Sequence, residues 1–174
     1  MISEKKSFLS FNLESETFAI NVIKVLEVLQ MQKITSIPKT PDYIKGVLNF
    51  RGEIIPVIDT RIKFSLNRAE DLSKHVIIVL DFERDGKQQK VGAIVDSVMD
   101  VFEYQEIDIK DVPELGSRYN LEFIYGMIKK DENFITILDV DKVFSVEELS
   151  IVKEIIKQKE VEINKEDNEE IEEE

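Results

Sequence analysis

Residues 46–65, GVLNFRGEIIPVIDTRIKFS, decide the fold of this chain because residues 126–145, GMIKKDENFITILDVDKVFS, repeat their pattern eighty positions later. Five of the twenty aligned positions are identical, and five further pairs are apolar in both copies. The identical pairs are Gly46/Gly126, Ile55/Ile135, Asp59/Asp139, Phe64/Phe144 and Ser65/Ser145. Both copies keep the apolar positions of two strands and the start of a helical turn, so we predict an internal duplication.

Other segments add short strands to this scheme. Residues 24–28 resemble residues 97–101 at an offset of 73. The apolar pattern from Val22 to Leu29 predicts a short helix running into a strand, and Pro41 to Gly46 reads as one helical turn stopped by glycine. Three strand pairs are predicted at 8–13 with 17–20, 47–50 with 53–58, and 75–82 with 90–96, the last pair opening the second half of the chain.

Short strands at regular spacing predict a mainly β fold of two small barrels, over a domain at residues 8–150. Each lobe of some sixty to seventy residues is too small for a large core, so a shared apolar interface is expected. Ser145 and Glu148 form a capping-box pattern, and Leu149, Val152, Ile155 and Ile156 follow at helical spacing. We therefore predict a C-terminal helix at 145–159.

The composition narrows the classes of function. The chain has no cysteine and a net charge of −13, which argues against disulfides and against a nucleic-acid partner. Residues 160–174 contain nine acidic residues and one lysine, so we expect a disordered, solubilising tail there. The N-terminus shows no export signal, and no run of apolar residues is long enough to cross a bilayer. We therefore expect a cytoplasmic protein that does not insert into a membrane.

Catalytic patterns are weak, and we predict that the chain is not an enzyme, with no metal or cofactor. The single histidine, His75, opens a strand and cannot build a multi-histidine metal site. Asp139 and Asp141 follow a hydrophobic strand as in phosphatases of the haloacid dehalogenase type, in which the first aspartate is the nucleophile. In the other repeat, Asp59 is equivalent to Asp139, but no second aspartate follows two residues later. A helix cap is therefore the better interpretation of Asp139. A small phosphatase stays the alternative from another class.

Arg51 is the residue that physical chemistry singles out. A guanidinium beside Gly52 at a hairpin tip is placed to pair with a carboxylate, and Glu27 is the candidate partner in the same lobe. The competing interpretation is an exposed turn arginine without a role.

Residues 37–61, IPKTPDYIKGVLNFRGEIIPVIDTR, closely resemble the central motif of the CheW family, P-x-x-P-x-[FY]-I-x-G-[VIL]-x-[ND]-[LFV]-R-G-x-[VI]-[VI]-P-[VI]-[VI]-D-L-R. Residues 18–28, FAINVIKVLEV, and 91–101, VGAIVDSVMDV, resemble two further family motifs. The resemblance spans residues 8 to about 150. This sequence departs from the usual pattern at Ala19, Asn21 and Thr60.

The resemblance implies two five-stranded, SH3-like barrels and a non-enzymatic adaptor. Such an adaptor couples the cytoplasmic tip of chemoreceptors to the regulatory domain of a CheA-type histidine kinase at membrane-associated arrays. It also implies a set of residues that line or support the receptor groove: Val25, Glu27, Gly46, Asn49, Arg51, Gly52, Val98 and Val101. The kinase-binding residues stay unassigned.

Other adaptor roles remain open. The chain could work in a pilus-motility or other chemosensory pathway. It could also be the adaptor half of a CheV-like protein, or the regulatory domain of a kinase. The last two need a receiver domain, or phosphotransfer and nucleotide-binding domains, and this sequence carries no pattern for them.

Overall fold

The computed structural model describes residues 4–111, 121–144, 149–150 and 152–158. These residues form ten β-strands in two five-stranded sheets. The strands are β1 (Lys5–Leu13), β2 (Glu16–Asn21), β3 (Val25–Gln30), β4 (Ile44–Phe50), β5 (Glu53–Asp59), β6 (Val76–Arg84), β7 (Lys87–Val95), β8 (Ser97–Gln105), β9 (Ile124–Lys130) and β10 (Asn133–Leu138). The short helices are α1 (Thr60–Lys63), α2 (Val140–Val143) and the 3-10 turns Val22–Lys24, Glu106–Asp108 and Leu121–Phe123.

One sheet, which we call the central barrel, uses the middle of the chain in the order β3-β6-β7-β5-β4. Strands β5 and β7 pair in parallel and the other neighbours are antiparallel. After β3 the chain returns to β4, where Thr35 and Val47 exchange two backbone hydrogen bonds of 2.9 Å. This bridge closes the sheet, because it joins the segment after one edge strand to the other edge strand.

The other sheet, which we call the split barrel, combines both ends of the domain in the order β8-β1-β2-β10-β9. It closes in the same way, through two 2.8 Å backbone hydrogen bonds between Lys110 and Met127. Each strand of one barrel therefore has a counterpart in the other. The mainly β fold of two five-stranded barrels predicted from the sequence is confirmed.

The barrels are not the two halves of the chain, which corrects one expectation. The hairpin β6–β7, predicted to open the second half, lies in the central barrel, between β3 and β5. The hairpin β1–β2 occupies the same place in the split barrel. The eighty-residue repeat could not show this, because which hairpin completes which sheet depends on long-range strand pairing.

The predicted helical turn from Pro41 to Gly46 is also wrong. A single hydrogen bond from the Ile44 N–H to the Pro41 carbonyl (3.0 Å) makes a turn, and strand β4 begins at Ile44. Gly46 adopts a φ of 146° within that strand. A Cβ atom there would lie 2.0 Å from the Thr35 carbonyl oxygen, so the glycine permits the closing bridge rather than ending a helix.

Two other local predictions are confirmed. The 3-10 turn Val22–Lys24 runs directly into β3, as the mixed apolar pattern indicated. Leu149, Val152 and Ile156 are buried in helical backbone, and Ile155 is partly buried beside them. The predicted cap at Ser145 and Glu148, and residues 159–174 with the acidic tail, lie outside the described residues.

The largest hydrophobic core lies between the barrels, as the small size of each lobe predicted. It joins Phe11 and Phe18 of the split barrel to Ile78 and Phe82 of the central barrel, and it also contains Val152. Among the described residues, each barrel adds only a small core of its own, with seven buried residues in the central barrel and five in the split barrel. Most of the buried apolar surface therefore depends on the barrels being together.

The duplicated phenylalanines make this junction reciprocal. Phe64, which follows α1 of the central barrel, packs on Phe18 and Phe123 of the split barrel, with ring centroids 6.1 and 6.2 Å apart. Phe144, which follows α2 of the split barrel, stacks on Phe82 of the central barrel at 5.7 Å. Each barrel thus inserts its repeat phenylalanine against the other.

An aspartate present in both repeats begins the short helix that precedes each phenylalanine. The Asp59 carboxylate accepts the N–H groups of Arg61 and Ile62 at the start of α1. The Asp139 carboxylate accepts the Asp141 N–H at the start of α2, at 3.1 Å. Both aspartates are therefore helix caps, the interpretation preferred over a nucleophile.

Candidate functional site

The predicted pair of Arg51 and Glu27 is present. Nη2 of Arg51 donates to Oε2 of Glu27 at 2.8 Å, and the Arg51 side chain is 69% exposed. The guanidinium also lies 4.9 Å from the centre of the Phe50 ring. Glu27 is on β3 and Arg51 follows β4, so the ion pair crosses the seam at which the central barrel closes.

The turn that carries Arg51 explains its position. Arg51 and Gly52 both have positive φ angles, 51° and 83°, which is the backbone of a two-residue type I′ hairpin. The Gly52 N–H donates to Oδ1 of Asn49 at 2.9 Å, which ties the turn to β4. These contacts join four of the predicted site residues, and they hold the arginine at the barrel surface while its head stays in solvent.

The other four predicted residues are distributed between the barrels. Val25 on β3 and Val98 on β8 are half-buried and pack on the shared core from equivalent strands. Val101 on β8 is 60% exposed. Gly46 is buried beneath the closing bridge, so its place is structural support rather than a contact surface.

The structure adds apolar surface residues that sequence reasoning did not select. Leu26 and Val28 on β3 are 39% and 42% exposed, and Met99 on β8 is 52% exposed beside Val101. Leu26 and Val28 correspond to Met99 and Val101 at the offset of 73. The sequence repeat therefore already related the two apolar pairs. Only the structure shows that the side chains of both pairs are exposed to solvent. Two equivalent edge strands each present two apolar side chains to solvent.

A half-buried charge cluster lies where the chain passes between the barrels. Nε of Arg61 donates to Oδ1 of Asp96 at 2.6 Å, and Nη2 of Arg61 donates to Oδ2. Burial acts to raise the pKa of Asp96, but the hydrogen bonds from Arg61 and from the Glu14 N–H lower it below its ordinary value. The same hydrogen bonds from Arg61 to Asp96 raise the pKa of the guanidinium. Both groups are therefore charged at neutral pH.

The only histidine of the chain lies beside this cluster. Nε2 of His75 is 3.1 Å from Oδ1 of Asp96, and its side chain is 12% exposed. Within the described ranges, no group of three or more histidine, aspartate or glutamate side chains could hold a metal ion. His75 therefore lies beside the ion pair of Arg61 and Asp96.

Each departure from the CheW pattern is accommodated locally. Ala19 is fully buried on β2. Oδ1 of Asn21 accepts the Ile23 N–H at 3.1 Å and caps the 3-10 turn. The hydroxyl of buried Thr60 donates to the Ile94 carbonyl oxygen at 2.6 Å, so this polar group in an apolar position has its hydrogen bond.

The described part of the chain contains no helix that is long and apolar enough to cross a membrane.

Comparison with known proteins agrees with the geometry. The family described as the CheW-like domain matches residues 7–148. The chemotaxis protein CheW of Klebsiella aerogenes is 36% identical over 152 residues, which cover 87% of this chain and 89% of that protein. The chemotaxis protein CheW of Bacillus subtilis is 30% identical, with 84% of this chain and 91% of that protein covered.

A solved structure supports the same assignment. The crystal structure of the scaffolding protein TtCheW from Thermoanaerobacter tengcongensis matches with a TM-score of 0.72 and 33% sequence identity. The match covers 83% of this chain and 91% of that one. The duplicated barrels, the repeat motifs and these relatives together place the chain in the CheW family of chemotaxis scaffold proteins.

Proposed function

We propose that this chain is a non-enzymatic adaptor that couples chemoreceptors to a CheA-type histidine kinase. It binds the cytoplasmic tip of the receptor and the regulatory domain of the kinase, and it works in the cytoplasm at membrane-associated receptor arrays. Membership of the CheW family supports the role. The proposal needs no metal or cofactor.

The observation that carries the proposal is the surface around the Arg51–Glu27 ion pair. A receptor tip is a helical bundle, and a helix face is bound by apolar side chains with a few placed polar groups. Strand β3 carries Glu27 and also exposes Leu26 and Val28, and β8 of the other barrel exposes Met99 and Val101. Val25 on β3 and Val98 on β8 pack on the same core, and we propose that a receptor helix lies along this junction and contacts both strands.

The residues have different roles in this proposal. Arg51 holds Glu27 through the 2.8 Å contact and keeps hydrogen-bonding capacity for the receptor, because only one of its nitrogens is used there. Asn49 and Gly52 hold the turn. Val25, Val98 and Val101 form the apolar part, and Gly46 supports the seam.

Substitution of Arg51 or Glu27 tests the proposal. We expect Arg51→Ala and Glu27→Ala each to weaken activation of the kinase in a reconstituted array of receptor fragment, kinase and adaptor. Both variants should keep the wild-type circular dichroism spectrum, since an exposed ion pair contributes about 1 kcal/mol or less to stability. Kinase activation at the wild-type level by both variants would contradict the proposed receptor surface.

Arg68→Ala is the matched control. Arg68 lies in the loop between α1 and β6, which connects two elements of the central barrel, and it pairs with Asp42 at 2.7 Å, with side chains 63% and 75% exposed. Its removal changes the charge equally, and neither Arg68 nor its partner Asp42 is among the proposed receptor residues, so activation should stay at the wild-type level. Co-purification with a receptor fragment and a CheA-type kinase tests the choice of partners directly.

A further inference from the structure

The crossing from the central to the split barrel passes through a single residue, Asp96. Strand β7 ends at Val95 in the central barrel, and β8 begins at Ser97 in the split barrel. The Asp96 N–H donates to the Asn12 carbonyl oxygen of the split barrel at 3.1 Å. Its carboxylate accepts two hydrogen bonds from Arg61 of the central barrel. The residue is therefore bonded to both barrels at the point where it connects them.

A closed ring of hydrogen bonds surrounds this crossing. The Glu14 N–H, in the β1–β2 turn of the split barrel, donates to Oδ2 of Asp96 at 2.7 Å. Oε1 of Glu14 accepts the Asn67 N–H at 2.7 Å, and the Asn67 carbonyl oxygen accepts from Nη1 of Arg61 at 3.2 Å. The ring thus runs from Asp96 to Glu14, Asn67 and Arg61 and back to Asp96, and it passes twice between the barrels.

Glu14 takes part through the two-residue turn between β1 and β2, where its φ of 54° matches the 51° of Arg51 in the turn between β4 and β5. The Arg61 and Asp96 side chains are only 18% and 17% exposed. A bidentate pair that is shielded from solvent resists separation far more than an exposed pair, because opening it would leave a charge without its partner.

We infer that Arg61, Asp96 and Glu14 form a clamp that sets the position of one barrel relative to the other. The apolar core between the barrels favours contact but is non-directional. Hydrogen bonds of fixed geometry add the orientation. Arg61 is accordingly a positioning residue. It holds Asp96, which directly precedes β8 and lies two residues before Val98.

The inference extends the proposed function, on which its binding part rests. A receptor surface divided between β3 and β8 is complete only when the two strands keep their spacing. Loosening the clamp should therefore weaken receptor binding although no clamp residue belongs to the proposed receptor surface. The spacing itself can be measured without any partner.

The absence of cysteine allows the spacing to be measured with two engineered labels. Exposed positions suit this purpose in each barrel, Gln88 on β7 and Glu103 on β8. The Gln88→Cys, Glu103→Cys chain carries nitroxide labels for double electron–electron resonance. We expect one narrow distance distribution with the wild-type clamp and at least a doubled width, or a second distance, with Arg61→Met.

Two further variants make the measurement decisive. Asp96→Asn keeps the shape of the side chain and should broaden the distribution in the same direction, which tests the clamp even if Arg61→Met does not fold. Arg68→Met removes an arginine from an ion pair within the central barrel and should leave the distribution unchanged. An unchanged distribution in Asp96→Asn, or in a folded Arg61→Met, would overturn the clamp.

Binding of a receptor-tip fragment is measured in parallel by calorimetry. We expect the dissociation constant to rise about tenfold for Arg61→Met and to stay unchanged for Arg68→Met. A broadened distribution with unchanged affinity would overturn the positioning role. Failure of the wild-type chain to bind would overturn the proposed function instead, and the distance measurement would still decide whether the clamp exists.

Discussion

The turn at Arg51–Gly52 in the central barrel and the turn at Asp131–Glu132 in the split barrel occupy equivalent places with different chemistry. Across the first seam, Arg51 pairs with Glu27. Across the second, the Tyr104 hydroxyl donates to the Lys129 carbonyl oxygen at 3.2 Å, and the Lys130 ammonium lies 4.7 Å from the Phe102 ring centre. The backbone closure is the same, and the side chains that cover it are not.

This difference shows which part of the duplication is constrained. Gly46 and Gly126 both lie where the chain closes a barrel, and Asp59 and Asp139 both cap the following helix. The backbone geometry of the two barrels requires these residues, and both barrels share that geometry. The turns are exposed and can change at little cost to stability, so the two barrels present different surfaces.

The largest effect should come from the reciprocal phenylalanines. We expect Phe64→Ala and Phe144→Ala each to lower the free energy of unfolding by about 3–5 kcal/mol, because each leaves a cavity between the barrels. Urea denaturation measures the loss. The control is Phe134→Ala, whose side chain is 62% exposed and whose replacement should change stability by about 0.5 kcal/mol or less. Equal losses at 64, 144 and 134 would refute the reciprocal packing.

The repeat glycines should differ in cost. At Gly46 an added Cβ would meet the Thr35 carbonyl oxygen at 2.0 Å, and the positive φ adds strain. At Gly126 the nearest atom is Cγ2 of the Ile109 side chain at 2.4 Å, which can shift more readily than backbone. We expect Gly46→Ala to cost about 3 kcal/mol or more and Gly126→Ala about 1–2 kcal/mol. Urea midpoints in the reverse order would break the comparison.

The clamp between the barrels should make stability depend on pH. The pKa of Asp96 is lowered in the folded chain, so its contribution is present above the unfolded carboxyl value of about 3.9 and is lost as pH falls through the lower folded value. Wild-type stability should therefore fall more between pH 7 and pH 3 than that of Asp96→Asn. Denaturant midpoints across this range test it, and parallel curves for the two chains would contradict it.

The seam contacts should have the smallest effect on stability. Arg51→Ala removes an exposed ion pair and Tyr104→Phe removes one hydroxyl contact, so each should lower the free energy of unfolding by about 1 kcal/mol or less. Thermal melts of the two variants provide the measurement. A loss above about 2 kcal/mol in either would mean that the seam side chains, rather than the closing backbone bridges, hold that barrel shut.

Much of the fold was accessible from the sequence because its evidence is local or repeated. Alternating apolar residues predicted the hairpins, and the repeat of residues 46–65 predicted two similar barrels. The pairing of Arg51 with Glu27 was also predictable, since a hairpin tip leaves the guanidinium free to reach a carboxylate and β3 of the same lobe carries one, Glu27. The role of Gly46 was not predictable, because a glycine after a turn resembles a helix end, whereas here it allows the close approach of Thr35, eleven residues earlier.

By itself, the sequence determined the strand pattern, the duplication and the positions that backbone geometry requires, because these depend on residues close together in the chain or on its two copies. Only the tertiary structure decided that the β6–β7 hairpin completes the central barrel, and that Arg61 and Glu14 meet at Asp96. Glu14 and Asp96 are 82 positions apart. Contacts at that separation follow from how the sheets pair and pack, which no local pattern records.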